Sequence, residues 1–302
     1  MKRDFLTVLD LSSKEILRLM KRSAELKAGV DSNRCPLIGK SIGLLFEKAS
    51  TRTRVSLEVG VYQLGGQSIY MNPKEIQIGR GETIHDSAKV LSRYLAGIII
   101  RTYSHDTLTE FASHASIPVI NGLSDMHHPC QALADLMTIH EKKKRLKGVR
   151  MAFVGDGNNV LHSLMEACAL TGMDLTIACP KGYEPNPGIL KKARASSGKG
   201  TITVVREPEK AAKGADVLYT DVWVSMGQEK EGARKKRIFR SYQINRKLLS
   251  YAKEDAIVLH CMPAHRGEEI TDEIMDSPQS AVFDQAENRL HTQKALLEFL
   301  LT

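Results

Sequence analysis

The stretch "SIGLLFEKASTRTRVSLEVG", residues 41 to 60, decides the fold. Residues 41 to 46 are a short apolar run suited to a buried strand, and Val55, Leu57 and Val59 begin an apolar helical pattern. Between them stand Ser50, Thr51, Arg52, Thr53 and Arg54, three hydroxyls and two guanidiniums in five consecutive positions. A buried strand that passes through a short polar loop into a helix is the repeating unit of a parallel sheet covered by helices. The pattern recurs at 67 to 71 (QSIYM), 97 to 101 (GIIIR) and 117 to 120 (IPVI), with helices expected in the gaps.

The segment "CQALADLMTIHEKKKRLKG" predicts a helix with a basic last turn, stopped by Gly148. A domain boundary is therefore expected there, with residues 1–147 as one domain and 148–286 as the next. Strand-like runs in the second domain lie at 149 to 154, 175 to 179, 201 to 205, 216 to 222 and 256 to 261, with a shorter one near 281 to 283. A final helix, 287–302, carries Ala295, Leu296, Leu297, Phe299 and Leu300 and is expected to pack back onto the first domain. The fold class is α/β, two doubly wound parallel-sheet domains, with the active site expected in the cleft between them.

Composition narrows the function classes. The chain has 302 residues, 42% hydrophobic and 26% charged, as a globular protein does. It shows no apolar run of the ~20 residues that a membrane helix needs and no signal-peptide pattern at its start, so a cytoplasmic protein without a membrane span is expected. Five cysteines (Cys35, Cys130, Cys168, Cys179, Cys261) are scattered without C-x-x-C spacing, which suggests neither a disulfide framework nor a zinc cage. A net charge of +8 favours anionic partners, either nucleic acid or small phosphorylated metabolites.

Ligands in open parallel sheets bind beyond the carboxyl ends of the strands, and the unusual residues gather there. Residues 50 to 53 offer helix N-terminal N–H groups, hydroxyls and a forked cation that suit a dianionic phosphate; an N-cap with solvated arginines is the plainer alternative. Arg101 ends the "GIII" strand, where a ligand contact or a structural ion pair would explain it equally. In "HHPCQ" Pro129 fixes a helix entry, so that His128 and Gln131 stand one turn apart. "VGDGNNV" imitates a dinucleotide turn, but Val160 replaces the third glycine and no acid ends the next strand; Asn158 or Asn159 donating to a small polar ligand fits better.

"DVWVSMGQEKEGARKKRIFRSYQ" is long enough for a lid, with Ser225 and Met226 opening it, and Asp221 is the anion placed to meet an ammonium group or to cap a helix. Cys261 in "HCMPAHRG" can be a nucleophile, a proton acceptor or an inert buried thiol. His260, Cys261 and His265 lack a fourth ligand, so no metal is expected. The tracts "EKKKRLK" and "ARKKR" read as solvated faces, without the interleaved aromatics of a nucleic-acid surface.

Taken in order, "STRTR", "HPCQ", "DGNN", "DVWVSMG", "HCMPAHRG" and "ENRLH" resemble the aspartate/ornithine carbamoyltransferase family over nearly the whole chain. The D-x-x-x-S-M-G loop and H-C-M-P are similar to its ornithine branch. The resemblance implies transfer of a carbamoyl group from carbamoyl phosphate to the side-chain amine of L-ornithine in arginine metabolism, with no cofactor. It implies that Ser50, Thr51, Arg52 and Thr53 bind the phosphate, that Arg101, His128 and Gln131, with the adjoining Pro129 and Cys130, hold the carbonyl and amide, and that Cys261, Met262 and Arg289 complete that site. Asn159, Asp221, Ser225 and Met226 would grip ornithine, and Gln77 would reach carbamoyl phosphate from a neighbouring subunit of a trimer or trimer-based dodecamer. Arg101, His128, Cys261 and Asp221 are the expected catalytic set. Many relatives carry leucine where Met262 stands, a change that a backbone carbonyl contact tolerates. The rival readings are a carbamoyltransferase for putrescine or N-acetylornithine and, from another class, a basic nucleic-acid-binding protein.

Overall fold

A computed structural model of the chain describes residues 2–30, 34–74, 76, 81–196, 198, 200–224 and 232–302. It divides into two compact units: Met1–Met137 with Glu287–Thr302, and Thr138–Ala286.

The first unit opens with α1 (Ser13–Lys27), whose N-terminus is closed by a reciprocal Ser12 and Glu15 capping box. There follow β1 (Ser41–Phe46), α2 (Thr51–Gln63), β2 (Gln67–Met71), α3 (Ile84–Leu91), β3 (Gly97–Arg101), α4 (His105–His114), β4 (Val119–Leu123) and α5 (Pro129–Lys143). The four strands are all parallel, in the order β2-β1-β3-β4. Buried Ile98, Ile100, Leu108, Phe111 and Val119 show why "GIII" reads as a strand covered on both faces.

Strand β4 begins later than the 117 to 120 expected, because Pro118 has no N–H to offer the ladder and pairing starts at Val119 against Ile98. It continues through Asn121 and Gly122, residues that read as a turn from sequence. Asn121 is fully buried and donates its Nδ2 to the Leu6 carbonyl at 2.8 Å, which satisfies the amide nitrogen inside the sheet while its Oδ1 stays without a partner among the described residues.

The second unit contains β5 (Arg150–Val154), α6 (Asn159–Thr171), β6 (Asp174–Ala178), α7 (Pro187–Ser196), β7 (Ile202–Val205), α8 (Pro208–Ala212), β8 (Val217–Thr220), α9 (Gly232–Phe239), α10 (Arg246–Leu249), β9 (Ile257–His260) and α11 (Asp272–Met275). Its five parallel strands run in the order β7-β6-β5-β8-β9. Gly172 ends α6 in the left-handed region at φ 72°, where a side chain would be strained.

Helix α12 (Val282–Leu301) begins earlier than 287, and the strand expected near 281 to 283 reduces to a single bridge, Val258 to Ser280. Two backbone bonds, Val258 to the Gln279 carbonyl and Ala281 to the Val258 carbonyl, hold the chain beside β9 before it turns helical. The unit division lies inside α5, upstream of Gly148; α5 itself ends at Lys143, with Lys144 taking the left-handed φ of 60°.

Each sheet has a switch point, where successive strands leave in opposite directions and the loops diverge. In the first unit it lies between β1 and β3, and in the second between β5 and β8.

Candidate active site

The first switch point carries the cationic residues. Ser50 caps α2 with its side chain, accepting the Thr53 N–H at 3.3 Å, so the N-cap reading of this residue holds. Thr51 is exposed, Arg52 half-buried and Thr53 buried. Arg54 leaves the cluster: its guanidinium stacks 3.6 Å from the Tyr70 ring centroid and pairs with Glu58 at 2.9 Å. The register Phe46 to Arg101 sets Arg101 beside the end of β1, and its side chain is buried.

His128, Cys130 and Gln131 are buried at the start of α5. From α12, the buried Arg289 donates to Gln131 Oε1 at 2.5 Å and to Thr53 Oγ1 at 3.1 Å, so one guanidinium joins α2, α5 and α12. Gln131 in turn donates to Asp135 Oδ1 at 2.8 Å. Burial holds the His128 pKa well below the usual imidazole range, and Arg289, Arg101 and Arg52 add repulsion. At neutral pH His128 is therefore a neutral ring.

Lys48, which sequence reasoning passed over, is buried in the same loop, with Nζ 4.2 Å from the Tyr103 ring centroid. Burial first, and then Arg101, lowers its pKa. Burial pushes the Cys130 thiol up to about 11, and its Sγ lies 3.4 Å from the Asn121 carbonyl, which makes it an inert packing group. Pro129 supplies the first residue of α5.

The second switch point carries carboxylates. The register Thr220 to His260 sets the residues that follow, Asp221 and Cys261, side by side, and Cys261 Sγ donates to Asp221 Oδ1 at 2.9 Å. Asp221 Oδ2 accepts from Asn158 Nδ2 at 2.7 Å, while Asn158 Oδ1 caps α6 through the N–H groups of Val160 and Leu161. Asn158 is thus the residue bonded to Asp221, and Asn159, expected to meet ornithine, is the first residue of α6. The Asx cap spends the Asn158 oxygen on the helix and leaves its amide hydrogens for the carboxylate.

Met262 N–H donates to His260 Nδ1 at 2.9 Å. That bond makes Nδ1 an acceptor, so the ring proton sits on Nε2, which faces buried Glu269 at 2.9 Å. Donor atoms of Asp221, His260 and Cys261 lie within 4.8 Å of one another, as do those of His265, Glu268 and Glu269. Both nitrogens of His260 are already bonded, so a metal at the first cluster would have to displace Met262 N–H or Glu269. Gln77, Ser225 and Met226 lie outside the described residues.

Most basic residues of the two tracts are exposed, as expected of solvated faces, with one buried exception. Lys235 of "ARKKR" is buried on α9 and pairs with Asp156 at 2.7 Å. In "EKKKRLK", Lys142 pairs with Asp284 at 2.5 Å and Lys143 with Asp255 at 2.9 Å. Helix α9 also occupies part of the segment expected to be a lid.

The carbamoyl-P binding domain of aspartate/ornithine carbamoyltransferases matches residues 3–141, and the Asp/Orn binding domain of the same family matches residues 147–300. The chain belongs to the aspartate/ornithine carbamoyltransferase family. An ornithine carbamoyltransferase of Syntrophus aciditrophicus is 51% identical over 303 aligned residues, covering 100% of both chains. Among solved structures, the ornithine carbamoyltransferase from Pyrococcus furiosus has a TM-score of 0.95 at 49% identity, covering 99% of this chain and 97% of that one. An N-acetyl-L-ornithine transcarbamylase stands further off in the family, at 30% identity and a TM-score of 0.87 over 98% and 99% of the two chains. Family membership agrees with the α/β class and parallel sheets read from sequence.

Proposed function

We propose that this chain transfers the carbamoyl group of carbamoyl phosphate to the side-chain amine of L-ornithine, giving L-citrulline and phosphate. The observation that carries the reading is the division of charge: guanidiniums and a neutral imidazole at one switch point, and a buried carboxylate held by neutral donors at the other. The first suits a phosphate beside a carbonyl and the second an ammonium.

The roles follow from the chemistry. Ser50, Thr51, Arg52 and Thr53 bind the phosphate at the α2 N-terminus, where N–H groups and a forked cation meet a dianion. Arg101 and the neutral His128 donate to the carbamoyl carbonyl oxygen, which gains negative charge as the amine adds; one such donor typically contributes about 3 to 4 kcal/mol in the transition state. Arg289 holds Gln131 and Thr53 in place from behind.

An alkylammonium with a pKa near ~10.4 must lose a proton to attack, at roughly 4 to 5 kcal/mol at pH 7. Asp221 receives the ammonium; Cys261, already bonded to it, lies where it can exchange a proton with the amine. The tetrahedral adduct then collapses by expelling phosphate.

The rival readings are weaker. In the nucleic-acid reading Lys142, Lys143 and Lys236 would meet phosphates, yet they pair with Asp284, Asp255 and Glu268. The nearer identity to ornithine carbamoyltransferases than to the N-acetylornithine enzyme supports the free amino acid.

Two finer points belong to the same proposal. Val55, Val59 and Tyr62 form an exposed stripe along α2, with Ile69 exposed on edge strand β2, an apolar face that a second copy in a homotrimer would cover. All five cysteines are free thiols, as suits a reducing cytoplasm, and among the described residues no helix is long and apolar enough to cross a membrane. A citrulline-type product assay against ornithine, putrescine, N-acetylornithine and lysine tests the function. Preference for any amine but ornithine overturns it, and a monomer by sedimentation overturns the assembly.

A further inference from the structure

Lys235 is the buried cation of an otherwise exposed run on α9: Arg234, Lys236 and Arg237 face outward, and Lys236 is paired with Glu268. Its ammonium meets Asp156 Oδ2 at 2.7 Å, with the Tyr183 ring centroid 5.4 Å away. The side chains of the pair are 4% and 12% exposed. Two charges withdrawn from water this far lose much of what their attraction returns, so stability alone explains such a pair poorly.

Its position offers another reason. Asp156 opens the turn after β5, and the Asn158 N–H bonds back to the Asp156 carbonyl at 2.8 Å. Asn158 is the residue whose amide holds Asp221, and Asp221 accepts from Cys261. The turn packs closely on its neighbour: a Cβ added at Gly157 would stand 2.4 Å from the Glu184 and Pro185 backbone. Among the described residues, two buried carboxylates, Asp156 and Asp221, and the ammonium of Lys235 share this switch point.

We infer that Lys235 is a positioning residue for the amine substrate: by neutralising Asp156 it leaves Asp221 as the single carboxylate that can receive the ammonium beside Cys261. The inference rests on the function proposed above. Without Lys235, a second carboxylate would compete for the ammonium and draw the amine away from Cys261.

Burial already pushes the Asp156 pKa up, and the Asp221 carboxylate adds to the push while Lys235 opposes it. Lys235 from α9, Asp221 after β8 and Cys179 after β6 are the titratable groups that act on Asp156 from neighbouring elements. Removing Lys235 leaves only the Gly157 N–H to oppose burial and the Asp221 carboxylate, so the Asp156 pKa should rise further.

The test compares the wild-type chain, Lys235→Met, Lys235→Arg and the double variant Lys235→Met/Asp156→Asn between pH 6 and 9, with Trp223 fluorescence and circular dichroism confirming the fold. Citrulline formation by the wild type is measured first. For Lys235→Met we expect kcat/KM for ornithine to fall about tenfold or more, an additional ionisation in its pH profile, and an unchanged KM for carbamoyl phosphate. Lys235→Arg keeps most of the activity. The double variant, which removes the competing charge, recovers at least half of the lost logarithm of kcat/KM and loses the additional ionisation. A structural pin would predict the opposite, a double variant no better than the single. That result, an unchanged pH profile, an unfolded Lys235→Met chain that Asp156→Asn fails to restore, or equal losses for both substrates overturns the inference. A wild-type chain that makes no citrulline strikes the functional reading itself, and the inference falls with it.

Discussion

The neutral state of His128 has a measurable signature in stability. An unfolded histidine takes up a proton around pH 6.5, whereas burial and the neighbouring Arg289, Arg101 and Arg52 hold the folded ring well below that. On acidification the unfolded chain thus binds a proton that the folded chain refuses, so stability is intact above pH 6.5 and falls as pH drops beneath it. Between pH 7.5 and 5.5 this one group accounts for about 1.4 kcal/mol, the free energy of protonating the unfolded imidazole tenfold over its starting level. His128→Asn removes the proton acceptor while retaining a hydrogen-bonding side chain of similar reach. Urea unfolding at the two pH values, followed by far-ultraviolet circular dichroism, should show the wild type losing about 1.4 kcal/mol more than the variant. Tryptophan emission is unsuitable for this purpose, because the sole tryptophan, Trp223, lies in the other unit. Equal losses, or a wild type that gains on the variant in acid, would mean that the folded ring carries a proton. The donor role to a carbonyl oxygen would then need an imidazolium, and its assignment here would be wrong.

Other changes act through neighbouring groups. Arg52→Leu removes the forked cation of the α2 N-terminus and should weaken carbamoyl phosphate binding and slow turnover together; undiminished affinity by calorimetry refutes the phosphate assignment. Cys261→Ser should lower turnover and shift its pH dependence, since the thiol bonded to Asp221 is replaced by a far weaker acid, and a pH-rate profile identical to the wild type counts against a proton-handling role. Gly157→Ala forces a methyl against the backbone of Glu184 and Pro185, where nothing flexible can yield. It should cost about 1 to 3 kcal/mol, read by Trp223 fluorescence on unfolding, and raise the KM for ornithine by displacing Asn158; a variant as stable as the wild type would show that the turn can move.

Much of this was legible before any coordinates. Strands β1, β2 and β3 stand where short apolar runs predicted them, and β1 and β3 declare themselves by composition because they are buried. Strand β4 hid its second half because Asn121 and Gly122 carry turn propensity, which burial and a bond to the Leu6 carbonyl override. Helix α9 was hidden for the opposite reason: a run of four charged residues offers no apolar stripe, and the helix is anchored by Phe239 and a paired lysine instead. The sequence does not show which asparagine bonds Asp221. Adjacent asparagines look alike in sequence, and only the cap geometry shows which of them turns its amide toward Asp221.

The Asn158 to Asp221 bond also explains why Asp156 and Asp221, the carboxylates at the second switch point, need separate partners. Asp221 is served by neutral donors, an amide and a thiol, either of which an arriving ammonium can join or replace without separating a salt bridge. Asp156 has a full cation, which an incoming substrate would have to break away at a cost of several kcal/mol for the exposed buried charge. On the proposed reading, binding is thereby directed to the carboxylate that no cation holds, and this is the one that lies beside Cys261. Carboxylates that read alike in sequence are sorted into a receiving group and a silenced one by the charge of their donors.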